Sequence, residues 1–381
     1  MVEWKAREVT QGAVAGREAF AVGKVLLSVA LAAVAYGLAP APPARPASPA
    51  GTSAPPQAIP GPRDLPPQAE EAIRAGVAFL VRTQNPDGSW LSDGSTGMYP
   101  VAMSALAGLA LLANGNTCYS GPYADNVRRA AEYLLQQADA ETGLIGRQDA
   151  GRPMFGHGFA MLFLAEVYGS EAQPALQGRI ATVLGNAVTL TARSQNRLGG
   201  WYYTPDSMQD EGAVTITQAQ GLRACADAGI PVPPQTIQNA LNYIRRSANP
   251  DGGIAYKASE PGESRAAITC AAIATMYASG LYHGEFVENA LRYARQNIPL
   301  AGPSRQGGTH FYYAHLYLSQ VMYFRGGSEW QDYFSGIRPW LIQVQNEDGS
   351  WSGDYVGRAY GTSVALLVLQ LPYNNLPVLQ R

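Results

Sequence analysis

The chain has 381 residues, of which 46% are hydrophobic and 15% are charged, with 27 basic and 29 acidic side chains. This composition is too apolar for a wholly disordered chain, and the balanced charge gives no indication of nucleic-acid binding. Three cysteines are too few for a disulfide scaffold or a four-cysteine zinc site. The low charged fraction indicates a chain that buries much of its surface.

The first 39 residues have the order of an export signal. Several basic residues within residues 1–24 precede an uncharged apolar run over residues 25–39, as in the basic and hydrophobic regions of a secretory signal. That run is short for crossing about 30 Å of hydrocarbon. Counting from Ala19 lengthens the segment to residues 19–39, which could contact or span a membrane if Lys24 snorkels. Residues 1–39 are therefore predicted to be a cleaved signal or a membrane anchor, which makes the protein exported or membrane-anchored.

A proline-rich segment follows over residues 40–67. It contains 11 prolines among 28 residues, interleaved with alanine, serine and glycine. Such a segment can neither form regular backbone hydrogen bonds nor bury a core, so it is expected to be an extended, disordered spacer. A proline-rich ligand for a partner domain is the alternative interpretation.

From residue 68 onward a turn motif recurs. Residues 84–90 read QNPDGSW and residues 345–351 read QNEDGSW, with degenerate copies between them. The residues at the tryptophan position are spaced by 55, 56, 53, 55 and 42 positions, which indicates a supersecondary repeat. These six residues are Trp90, Ile145, Trp201, Ile254, Thr309 and Trp351.

Each turn is flanked by two helical patterns. The segment before the turn has apolar residues at helical spacing on one face, as at Ile73, Val77 and Leu80. The segment after it is almost free of charge and ends in glycine, which is typical of a buried helix with a left-handed C-cap. These segments are residues 98–115, 154–169, 213–229, 266–280 and 311–326.

Six such helix pairs could form an open solenoid or a closed ring. The inner segments are too apolar to line a wetted concave surface, and the last unit has no polar capping helix of the kind that a free solenoid end needs. Residues 68–381 are therefore predicted to form one all-α domain, an α6/α6 toroid with six outer and six inner helices.

The two well-preserved motifs resemble the QW-type repeat of the prenyltransferase and squalene oxidase repeat family. That family includes squalene-hopene cyclases, oxidosqualene cyclases and the β subunits of protein prenyltransferases. The resemblance covers residues 68–381 and implies the same α6/α6 toroid, with an isoprenoid as the expected ligand. It says little about activity, because the motif is architectural.

The resemblance to squalene-hopene cyclases directs attention to one acidic pair. Those enzymes protonate an alkene with an Asp-x-Asp-Asp motif at the start of an inner helix, and this motif is absent here. The nearest passage is residues 208–214, where Asp210 and Glu211 take the positions of the last two aspartates and Met208 that of the first. Asp210 and Glu211 are the candidate catalytic acids, and the alternative is that either one stabilises a helix N-terminus by its charge.

No cofactor or metal is expected from the sequence. The protein prenyltransferases of the family hold zinc with an Asp-x-Cys pair and a distant histidine, but the residues two places before the three cysteines are Asn116, Arg223 and Ile268. Phosphate-binding and nucleophile-elbow motifs are also absent from the sequence. Three histidines could still meet across the ring and bind a metal, namely His157, His310 and His315.

Polar and aromatic residues cluster at the predicted starts of the inner helices. If the ring closes, they converge on one end of it, where a concave aromatic pocket with a few polar groups would be the default ligand site. The alternative for each residue is simple packing near a helix end. The candidate ligand-binding residues are His157, Tyr202, Tyr203, Arg265, His310, Tyr312, Tyr313 and His315.

Three functional hypotheses follow. The first is a divergent toroid without standard cyclase or zinc chemistry, which binds an apolar small molecule or a protein partner. The second is a cyclase-like enzyme that uses Asp210 or Glu211 as its acid. The third is a carbohydrate-active α/α barrel, which would need two carboxyls about 5–9 Å apart across a groove, drawn from Asp206, Asp210 and Glu263.

Overall fold

The computed structural model describes residues 65–95, 97–146, 148–149, 151–302 and 310–376. Residues 1–39 and residues 40–64 of the proline-rich segment lie outside these ranges, as does Thr309 of the fifth turn. Within the described ranges the chain forms α-helices and short turns with no β-strand, which confirms the predicted all-α class. None of the helices in those ranges is both long and apolar enough to cross a membrane.

The helices alternate between an outer and an inner layer. The outer helices are α1 (Pro67–Thr83), α3 (Ala124–Gln136), α5 (Pro174–Arg193), α7 (Pro234–Arg246), α9 (Glu285–Asn297) and α11 (Gly327–Gln343). The inner helices are α2 (Pro100–Ala113), α4 (Pro153–Ser170), α6 (Gly212–Asp227), α8 (Ala266–Ala278), α10 (Phe311–Arg325) and α12 (Arg358–Leu369). Each inner helix packs on the next, and α12 packs on α2, so the inner layer is a closed ring. The toroid is therefore confirmed.

Burial explains the two layers. All fourteen residues of α2 are buried, whereas α7 buries one face and exposes the rest. Inner helices approach closely where glycines replace larger side chains. A Cβ on Gly221 of α6 would lie 2.8 Å from the carbonyl oxygen of Gly158 on α4. The inner ring is thus held by close contact of apolar and small residues.

The tryptophan of the turn motif joins the two helices of its own repeat. The indole N–H of Trp90 donates to the carbonyl oxygen of Leu80 at the end of α1, over 2.8 Å. Its backbone N–H donates to the hydroxyl of Ser104 on α2, over 3.0 Å. Trp201 and Trp351 make the same pair of bonds within their repeats.

The glutamine and glycine of the motif join one repeat to the next. The side-chain amide of Gln84 donates to the carbonyl oxygen of Asn126 at the start of α3. The turn glycine has φ near +90°, and a Cβ there would collide with a backbone carbonyl of the following outer helix. The five described pairs are Gly88 with Arg129, Gly143 with Asn186, Gly199 with Asn239, Gly252 with Asn289, and Gly349 with Ala75.

The last of these pairs belongs to the seam that closes the ring. Gln345 donates to the carbonyl oxygen of Ala72 on α1, over 2.9 Å. Arg358 at the start of α12 forms an ion pair with Asp93, in the loop that precedes α2. The same contacts that join neighbouring repeats therefore join the sixth repeat to the first.

The turn glycines provide a test of the inter-repeat contact. Gly199→Ala is expected to lower the free energy of unfolding by more than about 3 kcal/mol, because the new Cβ would lie 2.2 Å from the carbonyl oxygen of Asn239. Gly229→Ala is the matched control, since Gly229 has a similar φ of 88° but no atom within 4 Å of its Cβ position. It should cost about 1–2 kcal/mol from backbone strain alone. Equal losses in urea unfolding would show that the contact contributes nothing.

Candidate functional site

Glu211 lies at the end of the ring where the inner helices begin, here called the N-terminal mouth. It is the N-cap of α6, and its Oε2 accepts the backbone N–H of Val214 over 2.7 Å. The side chain is only 1% exposed. Burial raises the pKa of Glu211 to about 7, against the opposing effects of the helix N–H groups, Tyr256 and Arg152. Near neutral pH this carboxyl is therefore partly protonated and able to donate a proton.

Aromatic and basic side chains surround Glu211. The hydroxyls of Tyr203 and Tyr256 are hydrogen-bonded to each other. The guanidinium of Arg152 lies over the Tyr203 ring at 4.5 Å from its centroid, and Tyr202 packs against the same ring at 4.4 Å. The structure thus places Tyr203, Tyr256 and Arg152 near Glu211, with Tyr202 packed against Tyr203.

Asp210 is oriented differently from its neighbour. Its Oδ2 accepts the hydroxyl of Tyr243 on α7 over 2.9 Å and the backbone N–H groups of Ala258 and Ser259 over 2.8 and 3.3 Å. The side chain is buried, and its Oδ1 has no hydrogen-bond partner among the described residues. Asp210 therefore anchors the loop over residues 256–264 to an outer helix, while Glu211 faces the mouth.

His157 makes a structural contact that recurs around the ring. Its Nδ1 accepts the backbone N–H of Ile145 over 3.0 Å, so Nε2 carries the proton and donates to the Thr191 hydroxyl. Burial lowers the pKa of His157 to about 4, which keeps the ring neutral. The residue at this helix position accepts the corresponding N–H in the other described turns, and those residues are Ser104, Thr215, Thr269 and Thr362.

His315 holds the equivalent position in α10, five residues into the helix. Its Nε2 donates to the carbonyl oxygen of Pro299 over 3.0 Å, and its Nδ1 therefore accepts the Tyr333 hydroxyl at 2.8 Å. Burial lowers the pKa of His315 to about 4. Both nitrogens of both histidines are occupied by protein groups, so in this arrangement neither ring can coordinate a ligand.

The remaining predicted ligand residues lie at or near the mouth. His310 pairs with the Tyr355 hydroxyl at 3.1 Å and keeps part of its surface exposed. Its partial burial, and then the charge of Arg265, lower the pKa of His310. The Tyr312 ring is buried against Phe311. Among the described residues, no three histidine, cysteine, aspartate or glutamate side chains are grouped so that they could hold a metal.

Two tyrosines of α10 point along the interior of the ring. The rings of Tyr313 and Tyr317 meet edge to face, with centroids 4.9 Å apart. Both hydroxyls are buried, and neither forms a well-aligned hydrogen bond within the described part of the chain, although the two lie close enough to affect each other's pKa. Burial, and after it the charges of Tyr317 and Glu211, hold the pKa of Tyr313 well above its usual range.

An apolar cavity lies farther along the ring, toward the C-terminal ends of the inner helices. It is narrow, has a volume of about 30 Å³, and will be called the axial cavity. All six inner helices contribute to its lining, which includes Leu106, Leu109, Phe159, Leu162, Gln220, Ala274, Leu316, Tyr317, Ser319, Gln320, Phe324 and Leu367. None of the predicted ligand-binding residues lines this cavity.

The predicted ligand-binding residues and the axial cavity lie in different parts of the ring, and the sequence analysis overlooked two residues. The predicted residues lie at or near the N-terminal mouth, whereas the axial cavity extends toward Ala278 and Leu376. Tyr317 follows Tyr313 by one helical turn, so the spacing alone could have indicated that the two share a face. Arg152 directly precedes an inner helix, as Arg265 does. This shared position is the only feature of the sequence that could have indicated Arg152 as a site residue.

Comparisons with solved structures show the same fold. A protein from Actinoplanes is 17% identical with a TM-score of 0.57, over 81% of this chain and 99% of the other. The type II terpene cyclase MstE from Scytonema is 16% identical with a TM-score of 0.56, over 82% and 98%. An α-1,6-mannanase from Salegentibacter is 8% identical with a TM-score of 0.59, over 80% and 99%. At such identities the similarity establishes the α/α-toroid fold alone.

The sequence comparisons are negative. No family model matches this sequence. No curated protein matches it significantly either.

Glu211 gives a pH-dependent prediction. Its pKa rises from 4.5 in the unfolded chain to about 7 in the fold, so the wild type loses stability as the pH rises from about 4.5 through 7. Glu211→Gln carries no such charge, and it should be more stable than the wild type by on the order of 3 kcal/mol at pH 8 and about equally stable at pH 4. Urea unfolding at pH 4, 6 and 8 measures this difference.

The exposed Glu141→Gln is the control, and it should leave stability unchanged at all three pH values. A Glu211→Gln variant that is no more stable than the wild type at pH 8 would contradict the prediction. Such a result would mean that the ionised carboxyl is well accommodated at the mouth.

Proposed function

We propose that the toroid binds an uncharged, largely apolar small molecule in the axial cavity. The observation that carries this proposal is the lining, in which leucine, phenylalanine and alanine side chains from the inner helices surround the space and no charged side chain takes part. The cavity measures about 30 Å³ as it stands, so a ligand enters only if side chains of the lining move apart. Binding would be driven by the transfer of the apolar surface of the ligand from water into the cavity.

The expected ligand class comes from the resemblance and is supported by the fold. The turn motifs resemble those of a family that acts on isoprenoids, and MstE, which shares the fold, is a terpene cyclase. An isoprenoid chain has the apolar surface that the leucine-rich lining would cover. The proposal includes an exported or membrane-anchored location, for which the support is the sequence of residues 1–39.

A glycan ligand has weaker support, although the mannanase shares the fold. The carbohydrate hypothesis needs two carboxyls that a sugar can reach. Asp210 is buried and bonded to Tyr243 and the 256–264 loop, while Asp206 and Glu263 are exposed at the surface. The apolar cavity is therefore the better-supported site.

A substitution that fills the axial cavity tests the proposal. Ala274→Leu adds three carbon atoms to a lining position on α8, so it should weaken binding of the uncharged dye Nile red by about tenfold or more, while the larger side chain lowers the free energy of unfolding by about 1–3 kcal/mol. Ala181→Leu on outer helix α5 is the matched control and should bind like the wild type. Fluorescence titration of the full-length chain gives both affinities. Equal binding by the two variants would exclude this cavity as the site.

A second candidate function is acid catalysis at the N-terminal mouth, for which the pKa of Glu211, about 7, is the specific observation. A general acid works best when its pKa is close to the working pH. A carboxyl of this strength is a poor donor to an alkene, but it can protonate a more basic epoxide oxygen as the C–O bond opens. The tyrosines around Glu211 offer π faces to a developing cation.

Incubation with 2,3-oxidosqualene tests this second candidate. Gas chromatography with mass spectrometry should detect a cyclised product with the wild type, and Glu211→Gln should reduce its rate by about 100-fold or more. The exposed Glu263→Gln is the control and should retain the wild-type rate. Absence of product with the wild type, or full activity in Glu211→Gln, would rule out this role.

A further inference from the structure

Arg152 is a cation at the N-terminal mouth that no carboxylate neutralises. Its exposed guanidinium lies over the Tyr203 ring at 4.5 Å from the centroid, and within the described part of the chain it forms no hydrogen bond or ion pair. Arg179 and Arg358 each pair with a carboxylate instead. A cation–π contact orients a guanidinium and leaves its N–H groups free. Arg152 is therefore oriented to bind an anion.

Glu211 faces Arg152 without forming an ion pair with it. Burial raises the pKa of Glu211 to about 7, although the charge of Arg152 opposes this effect. The carboxyl is therefore mostly uncharged below pH 7, and its Oε2 accepts the backbone N–H of Val214. An anion bound to Arg152 would meet an uncharged neighbour below pH 7 and a like charge above it.

A second arginine without an anionic partner belongs to the same end of the ring. Arg265 precedes α8, is exposed, and forms no side-chain hydrogen bond or ion pair with any described residue. After partial burial, its charge is the next cause that lowers the pKa of His310, so the two side chains lie near each other. Because α6 lies between α4 and α8, the two arginines are separate binding points and not one cluster. An extended ligand with several negative charges fits both.

Half-exposed tyrosines form much of the remaining mouth. The exposed fractions of Tyr256 and Tyr355 are 38% and 41%. The Tyr256 hydroxyl bonds to that of Tyr203, and the Tyr355 hydroxyl bonds to His310 at 3.1 Å. Partial burial raises the pKa of Tyr355 and the charge of Arg152 opposes this, so the two side chains border one opening. Such rings offer apolar faces to the C–H groups of a sugar and hydroxyls to its hydroxyl groups.

We propose that the N-terminal mouth binds an acidic polysaccharide, whose uronate carboxylates pair with Arg152 and Arg265 while its sugar rings pack against Tyr256 and Tyr355. A chain of uronates carries single charges at intervals, which suits two separate guanidiniums. Binding of a polysaccharide needs no pair of catalytic carboxyls, unlike its hydrolysis. The inference goes beyond the proposed function, because it uses neither the axial cavity nor acid catalysis by Glu211.

Three probes separate the contributions of charge and sugar ring. Trigalacturonate has both, its methyl ester has the rings without the charges, and tripolyphosphate has charges without the rings. Isothermal titration calorimetry of the full-length chain at pH 6.5 measures their affinities. We expect trigalacturonate to bind most tightly, and the ester and tripolyphosphate each to bind at least about tenfold more weakly.

Arg152→Gln tests the pairing directly. It should weaken trigalacturonate binding about tenfold or more, because a charge-assisted hydrogen bond is lost. Nile red binding and the unfolding temperature should stay unchanged, since the side chain is exposed and does not line the axial cavity. Arg197→Gln is the matched control and should bind like the wild type. It removes the same charge from an exposed arginine of the third turn that is likewise unpaired among the described residues.

The affinity should also depend on pH through Glu211. Burial raises the pKa of each tyrosine that faces Glu211, so these tyrosines stay uncharged at pH 8. The charged and titratable groups that face Glu211 are Arg152, Tyr203, Tyr243, Tyr256 and Tyr313. Asp354 beside Tyr355 has a pKa raised to about 6 by burial, so it is mainly ionised from pH 6.5 upward. Trigalacturonate binding should weaken about fivefold from pH 6.5 to 8 in the wild type, and by less than about twofold in Glu211→Gln.

The outcomes decide each part of the inference. No binding of trigalacturonate, equal binding of its ester, or unchanged binding in Arg152→Gln would overturn it. Tripolyphosphate that binds as tightly as trigalacturonate would indicate a general anion site and overturn the polysaccharide. The same pH dependence in Glu211→Gln as in the wild type would overturn the effect of Glu211. Nile red binding tests the proposed function separately, because the two sites share no residue.

Discussion

The toroid depends on one hydrogen bond that is repeated around the ring. In each described turn, the backbone N–H at the tryptophan position donates to a side chain near the start of the inner helix of the same repeat, as from Trp90 to Ser104. The chain between the two helices has no regular secondary structure, and this bond fixes where it joins the inner layer. Because the bond recurs at Ile145 and Trp201, the loops converge on one end of the ring and create the N-terminal mouth.

Much of the architecture could be predicted, because helical periodicity and glycine positions are local properties of the sequence. The segment predicted over residues 98–115 is helix α2, Pro100–Ala113. The direction of individual side chains could not be predicted, because it depends on packing between elements that are distant in sequence. His157 lies in the first turns of an inner helix as predicted, but its imidazole is directed toward Ile145 and away from the central axis of the toroid. The spacing of Tyr313 and Tyr317 places them on one face of α10, but a helix buried on every side has no polar face that shows which residues line the cavity.

The acidic pair Asp210 and Glu211 is a second case in which the sequence could not predict side-chain direction. Asp210 and Glu211 are adjacent, yet one carboxyl reaches Tyr243 and the other caps α6. Adjacent residues in extended chain point in opposite directions, which separates their environments. The sequence presented the two residues as one unit, whereas the fold gives Asp210 a positioning role for the 256–264 loop and leaves Glu211 at the mouth. Burial lowers the pKa of His157 and raises the pKa of Glu211, so both side chains favour their uncharged forms within the toroid.

The seam between the sixth and the first repeat has a consequence for the order of folding. Gln345 and Ala72 are separated by 273 positions, and Arg358 and Asp93 by 265. Contacts this distant in sequence carry a large loop-closure entropy and form late. During synthesis, the faces of helices α1 and α2 that pack on α12 therefore stay exposed until α12 has been made. A nascent chain that lacks the last repeat leaves Gly76 and the neighbouring apolar surface, which Trp351 covers in the complete ring, open to water.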